Sequence, residues 1–392
     1  MKRKVYMDYA STTPVRAEVA DAMIPFIKED FGNPQSLHSF GDKPKQAVDE
    51  AREKVAGLIG ALPDEIYFTS SGTESNNFAL KGIAFANQKK GKHIITSQIE
   101  HHSVLHSAKS LERQGFEVTY IPVDKFGMVD PQAVKSAIKK DTILVSILHS
   151  SNEIGSIEPI DEISKIVKEA GVVFHTDAVQ TAGTIPVNVN EIGVDLLSIT
   201  AHQFYGPKGI GAIYLRKGVR ITPFIDGGIQ ENGRRAGTEN VAGIVGMGKA
   251  CELVKGEIPG RVKKLTLLRD KLISGILSKI DHAYLNGHPT KRLPGNVNIS
   301  VEYVEGESML LFMNIDGVAA SSGSACTSKA LKASHVLTAM GIAPEIAQGS
   351  LLFSLGAESS DEDVDYVSQI LPPIVERLRK MSPLYEEAKA KK

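Results

Sequence analysis

The sequence is poor in cysteine, has almost no net charge and lacks any long apolar run, and each shortage excludes a class of protein. Cys251 and Cys326 are the only cysteines among its 392 residues. They form neither a disulfide framework nor a CxxC metal site, so we expect a reducing, cytoplasmic setting. The formal net charge of −1 argues against a dedicated nucleic-acid or membrane-surface protein. No apolar run approaches the ~18 residues of a membrane span, and the N-terminus MKRKVYMDYA lacks the apolar core of a secretory signal.

The composition that is present is typical of a globular protein. Hydrophobic residues make up 42% of the chain and charged residues 23%, which is enough to bury a sizeable core. At roughly 150 residues per domain, the length predicts two or three domains. The chain has no internal repeat and no low-complexity segment except the polar tail EEAKAKK at residues 386–392, which we expect to fray.

Short apolar runs alternate with longer amphipathic segments between about residue 45 and residue 250. Helical patterns at 104–115 and 159–171 separate runs that are typical of β-strands, and Asp130 before Pro131 predicts an N-cap with proline at the first helical position. Strands that alternate with helices predict a mainly parallel sheet with helices on both faces. The predicted strands are residues 65–70, 93–98, 117–123, 142–149, 172–177, 196–201 and 209–216.

The pattern changes near residue 255. The rest of the chain predicts a charged helix, a strand, a short helix and a C-terminal helix interrupted by Pro372 and Pro373, at residues 261–280, 296–301, 307–315 and 361–381. We therefore predict an α/β protein with two domains. The large domain, with a mainly parallel mixed sheet, comprises residues 15–255. A smaller α+β domain comprises residues 1–14 and 256–392 and carries the loop around Cys326.

The segment TSSGTESNN follows a predicted strand and could bind a phosphate. Gly72 permits a tight turn, and the hydroxyls of Ser71 and Thr73 would join the first backbone N–H groups of a helix. An ordinary N-cap with an acidic first turn is the alternative interpretation.

Two more segments place polar side chains just after predicted strands. In FHTDAVQTAG, Asp177 ends an apolar strand, where open α/β sheets bind their ligands. A carboxylate there is costly unless it is paired with a cation, although it could also serve as an N-cap. In EHHSV, His101 and His102 are adjacent, and a structural role is the alternative to a functional one.

Three later segments carry donors or a reactive group. Thr200 and His202, within SITAHQFYGPKG, could donate to a phosphate, and GGIQENGRRAGTEN places paired arginines beside Thr238, although surface loops with arginines are common. Cys326 lies among small polar residues in SSGSACTS, on a loop that we expect to be exposed. That setting favours a reactive thiol over a packing role, whereas Cys251 lies in a helical pattern typical of the core.

The order of these motifs resembles the cysteine desulfurases of the NifS/IscS branch. The matching segments run nearly from end to end: MDYASTTP, GNPQSLHSFG, SSGTESNN, EHHSV, HSSNEIG, HTDAVQTAG, TAHQFYGPKGIGA, RRAGTEN and GSACTS. The resemblance implies the fold-type-I architecture of transferases that use pyridoxal 5′-phosphate (PLP), in a symmetric homodimer. It also implies conversion of L-cysteine to L-alanine, with the sulfur held as a persulfide on Cys326 and passed to an iron–sulfur scaffold protein of the IscU type.

The resemblance assigns a role to each candidate residue. Asp177 would pair with the pyridine nitrogen of PLP and keep it protonated, and His101 would stack on the ring. Cys326 would attack the substrate sulfur as a thiolate. The remaining polar contacts would come from Gly72, Thr73, Thr200, His202 and, from the second subunit, Thr238 at the phosphate, and from Asn152 and Gln180 near the phenolic oxygen.

Two positions depart from the family pattern. The family has His-Lys where this chain has His202-Gln203, and that lysine forms the Schiff base with PLP and moves the α-proton of the substrate. An amide can do neither, and we do not expect Lys208 to substitute, so PLP is expected to bind without a covalent link. Where the family often has an arginine for the substrate carboxylate, this chain has Leu352. We expect weaker cysteine binding in consequence, unless one of the arginines at 234–235 compensates from the second subunit.

Three hypotheses follow from these residues. The first is an active cysteine desulfurase that supplies sulfur for iron–sulfur cluster assembly. The second is a catalytically impaired homologue, marked by Gln203 and Leu352, that binds the scaffold and uses Cys326 as a sulfur acceptor or as a thiolate ligand of a shared iron–sulfur cluster. The third, another PLP-dependent lyase or aminotransferase, is disfavoured by GSACTS. We place the active enzyme first.

Overall fold

The computed structural model describes residues 3–322, 333–383 and 385–386. Its strands are β1 (Val5–Tyr6), β2 (Ile66–Thr69), β3 (His93–Ser97), β4 (Glu117–Ile121), β5 (Thr142–Ser146), β6 (Val173–Asp177), β7 (Leu196–Thr200), β8 (Gly211–Leu215), β9 (Ala283–Asn286), β10 (Asn296–Val301), β11 (Val318–Ala319) and β12 (Ser350–Ser354). Its α-helices are α1 (Ala17–Lys28), α2 (Ser39–Ile59), α3 (Gly72–Asn87), α4 (His102–Glu112), α5 (Pro131–Ala137), α6 (Ile160–Glu169), α7 (Val189–Ile192), α8 (Val241–Leu277), α9 (Gly306–Ile315), α10 (His335–Ala339), α11 (Pro344–Ala347) and α12 (Asp361–Arg379).

A seven-stranded sheet in the order β2-β8-β7-β6-β5-β3-β4 forms the centre of the larger part. The pairs from β7 to β4 are parallel, whereas β8 runs antiparallel to both of its neighbours. All five residues of β3, β5 and β7 are buried, as expected for parallel strands covered on both faces. The predicted mainly parallel mixed sheet is confirmed.

A second, smaller sheet in the order β12-β10-β9 is antiparallel, and β1 pairs with β11 in a parallel two-stranded sheet. These strands contribute to a separate apolar core together with α9 and α12. Met7, just after β1, belongs to this core, so the N-terminal strand packs with the C-terminal part of the chain.

The long helix α8 connects the two cores. Its first half contributes Met247 and Cys251 to the core of the large sheet, and its second half contributes Leu268 and Leu272 to the core of the small sheets. The predicted domain boundary at residues 255 and 256 lies within this helix, near the point where the packing partner changes. The division itself stays a prediction.

One prediction about the C-terminal helix is wrong. Helix α12 continues through Pro372 and Pro373 instead of being interrupted there. A proline at position 372 leaves the carbonyl of Ser368 without its helical donor, and Lys279 Nζ donates to that carbonyl at 3.0 Å instead. Within the described part of the chain, no helix is both long enough and apolar enough to cross a membrane.

Candidate active site

One cavity lies where the central strands end. It has a volume of about 650 Å³, and it opens at the carboxyl ends of the parallel strands, where sheets of this type bind ligands. The predicted site residues that line it are Gly72, Thr73, His101, Asn152, Asp177, Gln180, Thr200, His202 and Gln203. Among the described residues around this cavity, none is a lysine or an arginine.

Asp177 provides a carboxylate at the floor of the cavity. It is the last residue of β6 and is 7% exposed. Its Oδ1 accepts from the backbone N–H of Val179 at 3.0 Å, and its Oδ2 accepts from the amide of Asn76 at 2.6 Å. Burial raises the pKa of the Asp177 carboxyl, while the nearby His101 and these two donors act in the opposite direction. Among the described residues, no lysine or arginine pairs with this carboxylate, so a cationic ligand would lower the cost of keeping it ionised.

The N-terminus of α3 lies at the cavity. Ser71 caps this 16-residue helix by accepting from the backbone N–H of Glu74 at 3.1 Å. Gly72 is required at the first position because a Cβ atom there would lie 2.6 Å from Val179 Cγ2. The first backbone N–H groups of a helix carry partial positive charge and attract anions. The N-cap interpretation of TSSGTESNN is confirmed, and the segment also lines the cavity, while phosphate binding stays a prediction.

The carboxylate of Glu74, in the first turn of α3, has partners of its own. It accepts from the backbone N–H of Ser70 at 2.8 Å and from Arg235 Nε at 2.8 Å. These bonds hold the pKa of the Glu74 carboxyl below its usual range despite partial burial. The negative charge in the first turn is thus neutralised by an arginine from a different loop.

His101 is the N-cap of α4, with its ring at the mouth of the cavity. Its Nδ1 lies 2.7 Å from Ser103 Oγ and accepts from the backbone N–H of Ser103 at 3.2 Å. Three other imidazoles are close: the ring centroids of His102 and His335 lie 4.8 Å apart, and those of His102 and His106 lie 5.1 Å apart. Burial and the neighbouring imidazoles lower the pKa of both His102 and His335.

Gln203 and Gln180 extend into the cavity from two sides and share one acceptor. Gln203 Nε2 donates to the carbonyl of Ala10 at 2.8 Å, and Gln180 Nε2 donates to the same oxygen at 3.1 Å. The N-terminal segment is therefore fixed over the cavity by two amides. Lys208 is exposed and is not among the residues that line the cavity.

The other predicted phosphate donors have partners within the chain. The hydroxyl of Thr200 donates to the carbonyl of Ile210 at 3.2 Å. The Nδ1 atom of His202 lies 3.3 Å from Thr12 Oγ1. Burial, together with the nearby Lys208, lowers the pKa of the His202 imidazole, so a neutral ring with one N–H is the form that faces the cavity.

The wall opposite Asp177 is apolar. It is formed by Leu310, Ala320 and Leu352, and Leu352 is the buried middle residue of β12. The half-buried residues Ser321 and Ser322 also line the cavity, next to the first residue outside the described range. A substrate carboxylate would meet no guanidinium on this side.

Sequence patterns missed several residues that line the cavity, among them Asn76, Glu153 and His335. Asn76 could have been found, since it follows Gly72 by four residues and so shares its face of α3. The carboxylate of Glu153 accepts from Ser334 Oγ at 2.5 Å, and burial raises the pKa of this carboxyl to about 7. His335 carried no local signal, because its segment reaches the site only through the tertiary fold.

Two predicted residues remain to be placed. Cys326 is outside the described residues. Thr238 is exposed and does not line the cavity of its own chain. The adjacent arginines are engaged locally: Arg235 pairs with Glu74, and Arg234 hydrogen-bonds to the hydroxyl of Tyr67 and lies 4.7 Å above its ring. Neither is free to compensate for Leu352 within its own subunit.

The loop that carries Thr238 is anchored by a buried ion pair. Glu231 accepts from Arg52 through both carboxylate oxygens, at 2.7 and 2.8 Å, and from the backbone N–H of Phe68 at 2.8 Å. Its side chain is 4% exposed, although its backbone has a positive φ of 47°. The bidentate pair offsets the strain of that backbone conformation.

We expect Glu231→Gln to lower the free energy of unfolding by about 3 kcal/mol, because it leaves the buried guanidinium of Arg52 without its counter-charge. Urea denaturation measures the change. Glu252→Gln is the matched control, since the Lys54–Glu252 pair at 2.6 Å is exposed and should be worth less than about 1 kcal/mol. Equal losses in the two variants would contradict this assignment of the anchor.

No group of three or more His, Cys, Asp or Glu side chains that could hold a metal occurs within residues 3–322, 333–383 and 385–386. The predicted thiolate ligand of a shared cluster, Cys326, is not among them. Cys251 is fully buried in α8 and burial raises the pKa of its thiol, which confirms its assignment to the core.

Comparisons with known proteins cover almost the whole chain. The model of the aminotransferase class-V family matches residues 5–367. The protein named cysteine desulfurase IscS from Dictyoglomus turgidum is 58% identical over 392 residues, which is 100% of both chains. A solved structure of a NifS-like protein has a TM-score of 0.90 and 39% identity, over 95% of this chain and 100% of its own. The structure of SspA in complex with cysteine has a TM-score of 0.80 and 36% identity, over 91% and 99%. This likeness confirms the predicted fold-type-I architecture.

Proposed function

The chain belongs to the cysteine desulfurases of the aminotransferase class-V family, and from that premise we propose that it converts L-cysteine to L-alanine and transfers the sulfur to an iron–sulfur scaffold protein. The observation that carries the proposal is the cavity at the carboxyl ends of β6 and β7, which is lined by both Asp177 and the N-terminus of α3. A relative solved with cysteine supports the choice of substrate. The relatives give no support to the alternative of a homologue without turnover.

The residues around the cavity fit PLP. The cofactor is an anion at its phosphate and a cation at its protonated ring nitrogen, and the cavity offers a helix N-terminus to the first and a buried carboxylate to the second. The side-chain amide oxygen of Asn76 is buried and has no hydrogen-bond partner among the described residues.

The side chains that line the cavity would have different roles toward PLP. When bound, PLP withdraws electrons from the α-carbon of the substrate. Asp177 would hold the proton on the ring nitrogen, and His101 would cover one face of the ring. The groups that line the cavity and can exchange a proton are Asp177, Glu153, His101, His102, His202 and His335.

The sulfur would move to Cys326. Its thiolate attacks the sulfur atom of L-cysteine, so that an S–S bond forms and the bond from that sulfur to the β-carbon breaks. A proton takes the place of sulfur on the β-carbon, which yields L-alanine and a persulfide on Cys326. An IscU-type scaffold would receive this sulfur, and a cluster shared through the Cys326 thiolate would be the later stage of the same contact.

We further propose that Gln203 occupies the position of the Schiff-base lysine and that PLP is therefore held without a covalent link. Borohydride treatment followed by intact-mass analysis is expected to leave no PLP-sized increment on the protein. The reason is that no lysine lies among the described residues that line the cavity, and a glutamine amide does not condense with an aldehyde. An increment on any lysine would refute this proposal, and the Gln203→Lys protein provides the positive control.

The carboxylate of the substrate would be bound weakly. Leu352 presents an apolar side chain to the cavity, and the nearby arginines at 234–235 are paired within their own chain. A bidentate guanidinium contact is among the stronger hydrogen bonds in proteins, so its absence on this wall favours a high KM for L-cysteine over a low turnover number.

We propose that the protein is a cytoplasmic homodimer in which Thr238 reaches the phosphate of the second subunit. The side chains of Phe31 and Phe40 are 73% and 65% exposed, with ring centroids 6.0 Å apart. This apolar surface adjoins the Thr238 loop, since Gln35 Nε2 donates to Glu239 at 2.7 Å. An exposed apolar patch of this kind is typical of an interface, and sedimentation velocity tests the association.

The buried free thiol of Cys251 and the proposed reactive thiol of Cys326 are consistent with a reducing compartment, which supports the proposed cytoplasmic location.

A further inference from the structure

A continuous chain of hydrogen bonds connects Asp177 at the floor of the cavity to His101 at its mouth. Asn76 Nδ2 lies 2.6 Å from Asp177 Oδ2 and 2.8 Å from Ser103 Oγ. Ser103 Oγ in turn lies 2.7 Å from His101 Nδ1. Asn76 is 1% exposed and Ser103 is 7% exposed, so water cannot replace the two inner members of the chain.

The direction of these bonds follows from the donor and acceptor capacity of each group. Asp177 accepts at both oxygens, as an ionised carboxylate does. The alternative orientation of the Asn76 amide would place its oxygen against that carboxylate, which is repulsive. The –NH₂ group therefore faces Asp177 and Ser103, and its two hydrogens serve one acceptor each.

Ser103 provides hydrogen-bond donors to the ring of His101. Its oxygen accepts from Asn76, so its single hydrogen is free to point to His101 Nδ1. The backbone N–H of Ser103 also points to Nδ1, at 3.2 Å. With two donors directed at it, Nδ1 has to be the unprotonated nitrogen of the ring, and the hydrogen resides on Nε2.

We propose that Asn76 and Ser103 are positioning residues that fix His101 as the Nε2–H tautomer, so that it presents a proton donor to the cavity while Asp177 stays ionised. The inference deepens the proposed function, on which it rests. One chain of hydrogen bonds thus joins the carboxylate that would face the ring nitrogen of PLP to the imidazole that would cover the ring. Without the chain, His101 could also adopt the Nδ1–H tautomer, which would present a lone pair instead of a donor to the cavity.

Ser107 shows that the arrangement is specific to Ser103. It lies one turn further along α4, is 3% exposed, and its hydroxyl donates to the backbone carbonyl of Ser103 at 2.7 Å. It is a buried serine of the same helix, but it takes no part in the chain. Ser107→Ala is therefore the matched control for Ser103→Ala.

The tautomer is measured directly by nitrogen NMR of the full-length protein with ¹⁵N-labelled histidine, with and without PLP, at a pH where imidazoles are neutral. The spectrum of a His101→Gln variant assigns the His101 signals. In the parent protein we expect a protonated Nε2 and an unprotonated Nδ1. Ser103→Ala removes one of the two donors to Nδ1 and should allow a detectable fraction of the Nδ1–H tautomer, Ser103→Thr should restore the single tautomer, and Ser107→Ala should leave it unchanged.

A protonated Nδ1 in the parent protein would overturn the proposal, even if every variant failed to fold. So would a Ser103→Ala spectrum with the same single tautomer as the parent. The measurement needs no turnover of L-cysteine, so failure of this inference is distinguishable from failure of the proposed desulfurase function.

Discussion

Gln203→Lys is expected to raise the rate of alanine formation from L-cysteine by about 10²–10⁴-fold, which is the usual contribution of a positioned general acid–base group. The parent protein should form alanine slowly, because no amine holds the cofactor and no positioned base takes the α-proton. Alanine and sulfide are measured after incubation of each protein with PLP, L-cysteine and a reductant. Equal yields would show that another group already does the work of a lysine, and no alanine from either protein would refute the desulfurase proposal.

The site is suited to accept this change without rearrangement. The Gln203 amide already donates to the carbonyl of Ala10 at 2.8 Å and lies near that of Ser11 at 3.5 Å. A lysine ammonium can donate to the same oxygens, and the cavity beyond them has room for a longer side chain. The structural cost of the substitution is therefore small, and a change in activity reports on chemistry.

Gln180→Lys is the control for the position of the amine. Gln180 lines the same cavity and donates to the same carbonyl of Ala10, at 3.1 Å. If only the presence of an amine in the cavity mattered, this variant would gain as much activity as Gln203→Lys. We expect no gain in the rate of alanine formation and no borohydride-stable link to PLP in this variant. The reason is that an amine would have to extend from the turn after β7, where Gln203 lies, to reach the PLP ring.

The large sheet was predictable because its strands are short, apolar and separated by helices. The predicted strand at 196–201 differs from β7 (Leu196–Thr200) by a single residue, and 296–301 matches β10. The run at 142–149 extends three residues past the end of β5 at Ser146. Apolar residues after Ser146, such as Ile147 and Leu148, are buried although they lie outside the strand. The apolar run in the sequence is therefore longer than the strand.

The start of helix α8 was not predicted: a helical pattern was recognised around Cys251, but the segment contains glycines that disfavour isolated helices, and the charged helix was predicted only from residue 261. In the structure these glycines permit close packing instead. A Cβ atom at Gly248 would lie 2.7 Å from Ala51 Cα, and one at Gly246 would lie 2.7 Å from Met23 Sδ. The tertiary contact with α1 and α2 decides the conformation, and no local pattern reports it.

The part of the candidate site that lies at the ends of predicted strands could be predicted from the sequence. Asp177 and Thr200 end adjacent strands, so their convergence follows from the topology. The chain through Asn76 and Ser103 was not predictable, because it depends on how α3 and α4 pack against each other. The contact of Ser334 with Glu153 likewise joins residues 181 positions apart.

The proposed reaction depends on one atom that the described part of the structure does not include, the sulfur of Cys326. A desulfurase must take a sulfur atom away from L-cysteine, and a thiolate does so by forming an S–S bond at low cost. The described residues around the cavity offer hydroxyls, imidazoles and carboxylates in its place, none of which forms a stable bond to sulfur under these conditions. The other cysteine, Cys251, is fully buried within α8 and cannot reach a substrate.

Cys326→Ser should therefore abolish persulfide formation, together with sulfur transfer to a scaffold protein and any cluster shared with it, while the fold, the PLP content and the association state stay unchanged. The persulfide is measured by intact mass after incubation with L-cysteine, in the parent and in the Gln203→Lys background, where turnover is fast enough to fill the site. Cys251→Ser is the matched control: it replaces a buried thiol in the core, so it should lower stability at most and leave the persulfide in place. If the Cys326→Ser protein carried a persulfide or delivered sulfur as well as its parent, the transfer would have to run through Cys251 or through free sulfide, and the assignment of Cys326 would be wrong.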